Sequence, residues 1–296
     1  MTILKKSSLH PRITIILVFL MTVLFVNAQN PKIVVNGITY TILSLESKTV
    51  EVSAPENNMV YSGQIKIPAN ITFKNRTFQV KGVGDRAFRE SRITNIVLSE
   101  GLEYLGYYAF YNSKLLRNIS FPKSLKKIDE GCFDECIFDN LTIPNTIVEI
   151  GYGLQRVGVR GLLKIEDGNT NLDHLSGQAS TIYIGRSFTS MGSSGLWTKH
   201  LIFSKNIRMG DVERCLYAYT NSEKQLKEKL SWLHYNIIKG ERMITLQHNS
   251  LLPMREFIKK EMEELFVNVK LRVPKHLLEE YRNHSVWGNF FEIEGF

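Results

Sequence analysis

The sequence predicts a mostly β repeat solenoid with a period of 22–23 residues, an N-terminal β cap and α-helical closure in its C-terminal part. Three observations carry that prediction. A phrase of two apolar anchors flanking one residue recurs at Ile65-Lys66-Ile67, Ile96-Val97-Leu98, Ile119-Ser120-Phe121 and Leu141-Thr142-Ile143, each followed by proline or serine. From residue 98 onward its second anchor advances to 121 and then 143. A second column, Ala87-Phe88, Ala109-Phe110 and Cys132-Phe133, keeps the same step, as does the Val83, Leu105 and Ile128 column before it. Periods of this size mark stacked units that bury one continuous core.

The elements follow in chain order. Residues 1–28 read as a signal peptide. Lys5, Lys6 and Arg12 form a basic head, Ile13 to Val26 an apolar run, and Val26-Asn27-Ala28 a cleavage-like end. The run is shorter than the ~20 residues that span a bilayer. A mature chain beginning near Gln29 drops three of the 37 basic residues and none of the 29 acidic ones, so the net charge falls from +8 to +5. That charge is spread thinly, without the Lys/Arg tract of a nucleic-acid groove.

Residues 29–64 are predicted to form the β cap, because Asn36-Gly37 between Ile33–Val35 and Ile38–Leu43 is a strong hairpin signal. Between Ile67 and Leu98 the step widens. Ile71-Thr72-Phe73, a turn at Lys74-Asn75-Arg76 and Phe78-Gln79-Val80 read there as a hairpin insertion. The repeat solenoid is expected over 65–215, irregular after 152, where Leu163-Lys164-Ile165, Ile182-Tyr183-Ile184 and Leu201-Ile202-Phe203 continue the phrase at shorter steps. Residues 216–296 are assigned to helical insertions and a capping repeat. Ile244-Thr245-Leu246 and Leu271-Arg272-Val273-Pro274 carry the phrase onward. Helical stripes are predicted after Ser222 (Leu226, Leu230, Leu233), after Pro253 (Met254, Phe257, Ile258, Met262, Leu265, Phe266) and after Pro274 (Leu277, Leu278, Tyr281).

The hairpins, the repeats with their Ala-Phe and small-residue columns, and a closing segment of Val273-Pro274-Lys275, Leu278, Tyr281, Trp287 and Phe290 together resemble the BspA-like leucine-rich-repeat family, secreted or surface proteins of Bacteroidota. The resemblance is close over Ile65 to Gly151 and returns over Val269 to Phe291. Asp129 stands where the family's glycine is usual, Asn75-Arg76 replaces an Asn-Gly turn, and 152–266 follows the pattern poorly. Membership would imply surface interaction or adhesion.

Chemistry-bearing motifs are missing from the sequence. Gly192-Ser193-Ser194-Gly195 lacks the spacing of a nucleophile elbow, Gly82-Val83-Gly84 lacks the third glycine of a dinucleotide loop, and the histidines form no HExxH. The expectation is therefore no enzyme, with no catalytic residues, metal ligands or cofactor. Three cysteines leave at least one unpaired within the chain. Cys136 falls in the column of Ser91 and Ser113, and Cys132 in that of Ala87 and Ala109, which suits small buried positions better than a metal pair. Asn70, Asn75, Asn118 and Asn140 head Asn-x-Ser/Thr triplets, and the last two share one repeat position.

Strand alternation turns the residue between two buried anchors outward. The outward row reads Lys66, Val97, Ser120, Thr142, Lys164, Tyr183, Ile202, Thr245 and Arg272, and the row two residues earlier contains Asn95, Asn118, Asn140, Leu162, Thr181 and His200. Tyr183, His200 and Ile202 make an aromatic and apolar stretch, the composition of interface centres. They are the predicted binding residues, for an extracellular protein or glycan. Burial of this patch under the helices is the competing expectation. The functional expectation is a secreted or cell-surface leucine-rich-repeat binding module for adhesion or partner interaction. A glycan- or peptide-processing enzyme with a site in 152–266 and a structural surface-layer component remain as alternatives.

Overall fold

The chain enters through a two-residue turn. In the computed structural model, which describes residues 30–57, 59–152, 154, 156–229, 241–255 and 262–296, β1 (Lys32–Val35) and β2 (Ile38–Ser44) pair antiparallel around Asn36 and Gly37. Both turn residues have positive φ, +50° and +77°, as the tight hairpin requires. The expected signal peptide lies outside the described residues. β3 (Thr49–Val52) adds antiparallel to β2, and its far edge starts a parallel ladder.

The first phrase lies on β4 (Ser62–Ile67). β5 (Asn70–Phe73) and β6 (Arg76–Val83) form the second hairpin, antiparallel around Lys74 and Asn75, again both at positive φ. β6 then pairs parallel with β3. β7 (Arg92–Leu98) carries the second phrase and lies parallel to β4, with Ile65 opposite Ile96 and Ile67 opposite Leu98. The next repeats have short strands: β8 (Tyr104–Leu105), β9 (Ile119–Ser120), β10 (Lys127–Ile128), β11 (Ile137–Phe138) and β12 (Leu141–Ile143). Two parallel ladders emerge, β4-β7-β9 for the phrases and β3-β6-β8-β10 for the column that precedes Ala-Phe.

Between the ladders, the turns stack through side chains. Phe88, Phe110 and Phe133 are fully buried and form a ladder with ring centroids 5.2 and 5.5 Å apart and planes within 8° and 19° of parallel. The Ser/Cys column secures it. Ser113 Oγ donates to the Phe88 carbonyl at 2.7 Å, and Cys136 Sγ makes the equivalent bond to the Phe110 carbonyl at 3.0 Å. Ser91 Oγ sits 2.9 Å from Ser113 Oγ. At 113 and 136 Ser and Cys are interchangeable because a single short donor has to reach one carbonyl of the neighbouring repeat.

After residue 157 the architecture changes. β13 (Gly158–Ile165) pairs with β11 through its first half and with β12 through its second, with a bulge between Val159 and Leu162. The arms that were separate strands thereby become one. β14 (Leu172–Ile184) and β15 (Phe188–Phe203) extend further still, to 13 and 16 residues. The parallel sheet continues through β16 (Arg242–Leu246), β17 (Val269–Val273) and β18 (Ile293–Gly295). Leu163, Ile182, Leu201, Ile244 and Leu271 stand side by side across it, so the irregular phrases keep one register despite unequal steps.

The helices depart from expectation. α1 (Met209–Lys229) begins well before Ser222 and buries Val212, Cys215, Leu216 and Tyr219, an i, i+3, i+4, i+7 stripe. Its first turn is fixed by Asp211, buried and paired with both Arg208 and Arg214. The predicted boundary between 215 and 216 therefore falls inside one helix. Leu230, Leu233, Phe257 and Ile258 of the expected stripes lie outside the described residues. α2 (Glu263–Asn268) leads into β17, and α3 (Leu278–Asn283) follows a 3-10 turn at Lys275–Leu277. Trp287, fully buried, donates from Nε1 to the Leu252 carbonyl at 2.8 Å and packs against Tyr281 and Phe290. Among the described residues no helix is long and apolar enough to cross a membrane.

Candidate functional site

The register places Tyr183 directly opposite Ile202, on β14 and β15, and Thr181 opposite His200. His200 and Ile202 are two residues apart on one strand and so share a face. All three predicted binding residues come together, half-buried rather than open.

Each polar member is held. The Tyr183 hydroxyl donates to Asp167 Oδ2 at 2.7 Å, with the Lys164 ammonium 5.9 Å from its ring centroid. Asp167 also accepts from the Ser204 hydroxyl and from Asn206 Nδ2 at 3.2 Å. Burial on its own would raise the Asp167 carboxyl, but the hydrogen bonds from Ser204, Tyr183 and Asn206 outweigh it and hold the group below the usual carboxylate range. The carboxylate is a fixed acceptor that orients Tyr183. Burial pushes the Tyr183 phenol up, so it remains a neutral donor.

His200 Nε2 shares a hydrogen bond of 2.7 Å with Thr245 Oγ1. Burial, with the Arg272 charge adding to it, lowers the His200 pKa and keeps the ring neutral near pH 7. This contact corrects one expectation. Thr245, read as outward, is only 5% exposed, and its hydroxyl is hydrogen-bonded to the imidazole of the preceding row. The outward row is thus interrupted before it reaches Arg272.

The two ends of the row differ from its middle. At the early end Val97 is 47% exposed, and Asn95, Val97, Asn118 and Ser120 line a depression of about 270 Å³. At the late end Lys270 pairs with Glu241, Glu292 and Glu294, and Arg272 Nε lies 2.8 Å from Glu294 Oε1. Short polar groups stand on the β4-β7-β9 sheet, and an aromatic and aliphatic stretch and then an ion-pair cluster follow on the sheet that runs from β13 to β18.

A second feature lies on the turns and escaped the sequence reading. Arg86, Tyr108 and Gly131 occupy one repeat position, and all three have positive φ. Arg89, Tyr111, Asp134 and Arg156 occupy another, just after the phenylalanine position. Arg86, Arg89, Tyr108, Tyr111 and Arg156 line a pocket of about 220 Å³. The period that aligned the phenylalanines aligns these positions equally well. Attention to the shared residues of each repeat passed over the variable ones. Among the described residues no group of three or more His, Cys, Asp or Glu is placed to hold a metal ion.

Residues 81–154 match the model of a BspA type leucine rich repeat region, in six copies. Solved structures are similar over parts of the chain. A leucine-rich repeat protein from Bacteroides capillosus is 23% identical, covering 44% of this chain and 99% of that one, with a TM-score of 0.36. A leucine rich cell surface protein from Faecalibacterium prausnitzii is 18% identical over 57% of this chain and 54% of its own, with a TM-score of 0.37. A leucine-rich repeat protein from Bacteroides ovatus is 17% identical over 89% and 76%, with a TM-score of 0.33. No curated protein matches the chain.

Proposed function

We propose, from the match of residues 81–154 to a BspA type leucine rich repeat region, that the chain is a secreted or cell-surface binding module, serving adhesion or partner interaction, rather than an enzyme. In this reading the molecule is a solenoid, capped by the β segment 29–64 and closed by the helices of 216–296, and delivered by the leader 1–28. Its partner is an extracellular protein or glycan, engaged by the outward face of the parallel sheet.

One observation carries the reading. Tyr183 and Ile202 are in register on adjacent strands, with His200 on the same face, and Asp167 orients the tyrosine through its hydroxyl. Adjacent strands lie ~4.8 Å apart, so three side chains on two strands form one continuous patch. A pre-oriented aromatic beside an aliphatic side chain suits stacking on a sugar or packing against a protein, and little ordering entropy is then lost on binding.

The test begins with a glycan array and a pull-down against extracellular matrix proteins, followed by variants on the partner found. Truncating a true anchor costs ~2 kcal/mol or more, so Tyr183→Ala is expected to weaken binding about 30-fold. Its melting temperature should change little, since the ring is half-exposed. Unchanged affinity with a large loss of stability would remove the patch from consideration.

A further inference from the structure

Among the described residues, the turn pocket is lined by Arg86, Arg89, Tyr108, Tyr111 and Arg156, all cationic or phenolic. Asp134, buried, accepts from Arg156 Nε at 2.9 Å and Nη2 at 2.6 Å and thereby fixes the guanidinium in place. Arg89 is bound to its neighbour Glu90 and lies 5.4 Å from the Tyr111 ring centroid. Arg86 has no carboxylate within ion-pair distance among the described residues; its guanidinium sits 5.7 Å from the Tyr107 ring. Three guanidinium groups therefore face one cavity with donors to spare.

The aromatic part is just as fixed. The Tyr108 ring lies over Gly131, where any Cβ would collide with it, and meets Tyr107 and Tyr111 edge-on at 4.2 and 5.2 Å. The ring rests where the next repeat omits a side chain, which supplies a rigid floor. Guanidinium forks match carboxylate and sulfate oxygens, and tyrosine faces and hydroxyls suit a pyranose ring. A volume of about 220 Å³ falls below the roughly 300–1,000 Å³ of drug-sized sites, so it admits one ring-sized unit with the rest of the ligand outside. A nucleic acid would ask for a stripe of cations tracking many phosphates, which three arginines in one pocket do not make.

We propose that this pocket binds an anionic sugar unit, one bearing a carboxylate or a sulfate, as part of a larger glycan. It lies on the turns after β6, β8 and β12, not on the strands that carry Tyr183, so it does not rest on the sheet-face reading and fails separately from it.

Calorimetric titration of the full chain tests the assignment with four probes: a sulfated heparin-type disaccharide, an unsulfated disaccharide containing a uronic acid, neutral cellobiose and inorganic sulfate. At least one anionic disaccharide is expected to bind and cellobiose not to, with inorganic sulfate at least about tenfold weaker because it cannot use the tyrosines. Arg86→Gln, at an exposed side chain, should weaken the sugar about tenfold or more. Tyr111→Ala should do likewise at unchanged melting temperature, while Lys32→Gln, remote from the pocket, should leave affinity alone. Absence of binding by both anionic disaccharides would overturn the proposal, as would binding indifferent to Arg86→Gln and Tyr111→Ala. Sulfate binding as tightly as the sugars would reduce the pocket to a plain anion site and overturn it too.

Discussion

Phe110 shows how much a single side chain does here. Its ring is buried between Phe88 and Phe133, in contact with two repeats at once, and the Cys136 thiol bonds its carbonyl. Phe110→Ala removes both stacking partners' contact and leaves a cavity the stacked turns cannot collapse into, so unfolding by denaturant should register a loss of ~3–5 kcal/mol. A transition superimposable on that of the parent chain would contradict the ladder. The histidines act through pH instead. Burial lowers His200, with Arg272 adding to it, and burial lowers His248 against the hydrogen bond from its ring to the Ile207 carbonyl. As pH falls through about 6.5, the unfolded chain takes up these protons while the folded one does not, so stability is present above that value and lost below it. The melting temperature should drop between about pH 7 and pH 5, and the double variant His200→Gln/His248→Gln should show a shallower decline. Equal slopes for parent and variant would assign the drop to other groups.

Among the elements, the turn between the two ladders is the most demanding. Gly131 has φ +65° and lies under Tyr108, so a side chain there is both strained and sterically blocked. Gly131→Ala should destabilise the protein by more than ~1 kcal/mol in a denaturant titration, well beyond the usual effect of a surface glycine. A neutral result would mean that Tyr108 swings away at no cost. These turns were legible from the sequence because Ala-Phe and Ser/Cys recur in them at a fixed step. The long strands β14 and β15 were not. β14 and β15 run unbroken through the position of the turn that carried the Ala-Phe pair, from Asp173 beside Ile150 to Gln178 beside Gly158, and the column that marked the period disappears with it. Only the paired anchors persisted, enough to align Leu163, Ile182 and Leu201 but not to reveal strands of 13 and 16 residues. The start of α1 was missed for a different reason. Val212, Cys215, Leu216 and Tyr219 form a helical stripe, but it follows a strand closely and its start is anchored by a buried Asp211 between two arginines, not by a conventional cap.

For the whole molecule, the outward row was readable as a register and unreadable as a surface. Alternation told which side chains share a face, whereas Thr245 is buried in contact with His200, its hydrogen-bond partner on a strand distant in sequence. Export is the matching expectation at this scale. In a Gram-negative host the chain should be trimmed after Ala28, because its apolar run is too short to remain as a span. Intact mass of the exported protein would read this directly, and retention of Met1 would refute it. On such a route the three free cysteines acquire a meaning of their own. Cys132, Cys136 and Cys215 are all buried, and burial raises the thiols of Cys132 and Cys215 well above their ordinary value and pushes Cys136 up to about 12. Disulfide exchange proceeds through the thiolate and needs access to it. The folded chain offers neither: Cys132 and Cys136 are enclosed by the stacked turns and Cys215 by the packed face of α1, so all three are sheltered from exchange. The vulnerable interval is the one before the turns close, and in an oxidising environment the outcome becomes a race between collapse and cross-linking.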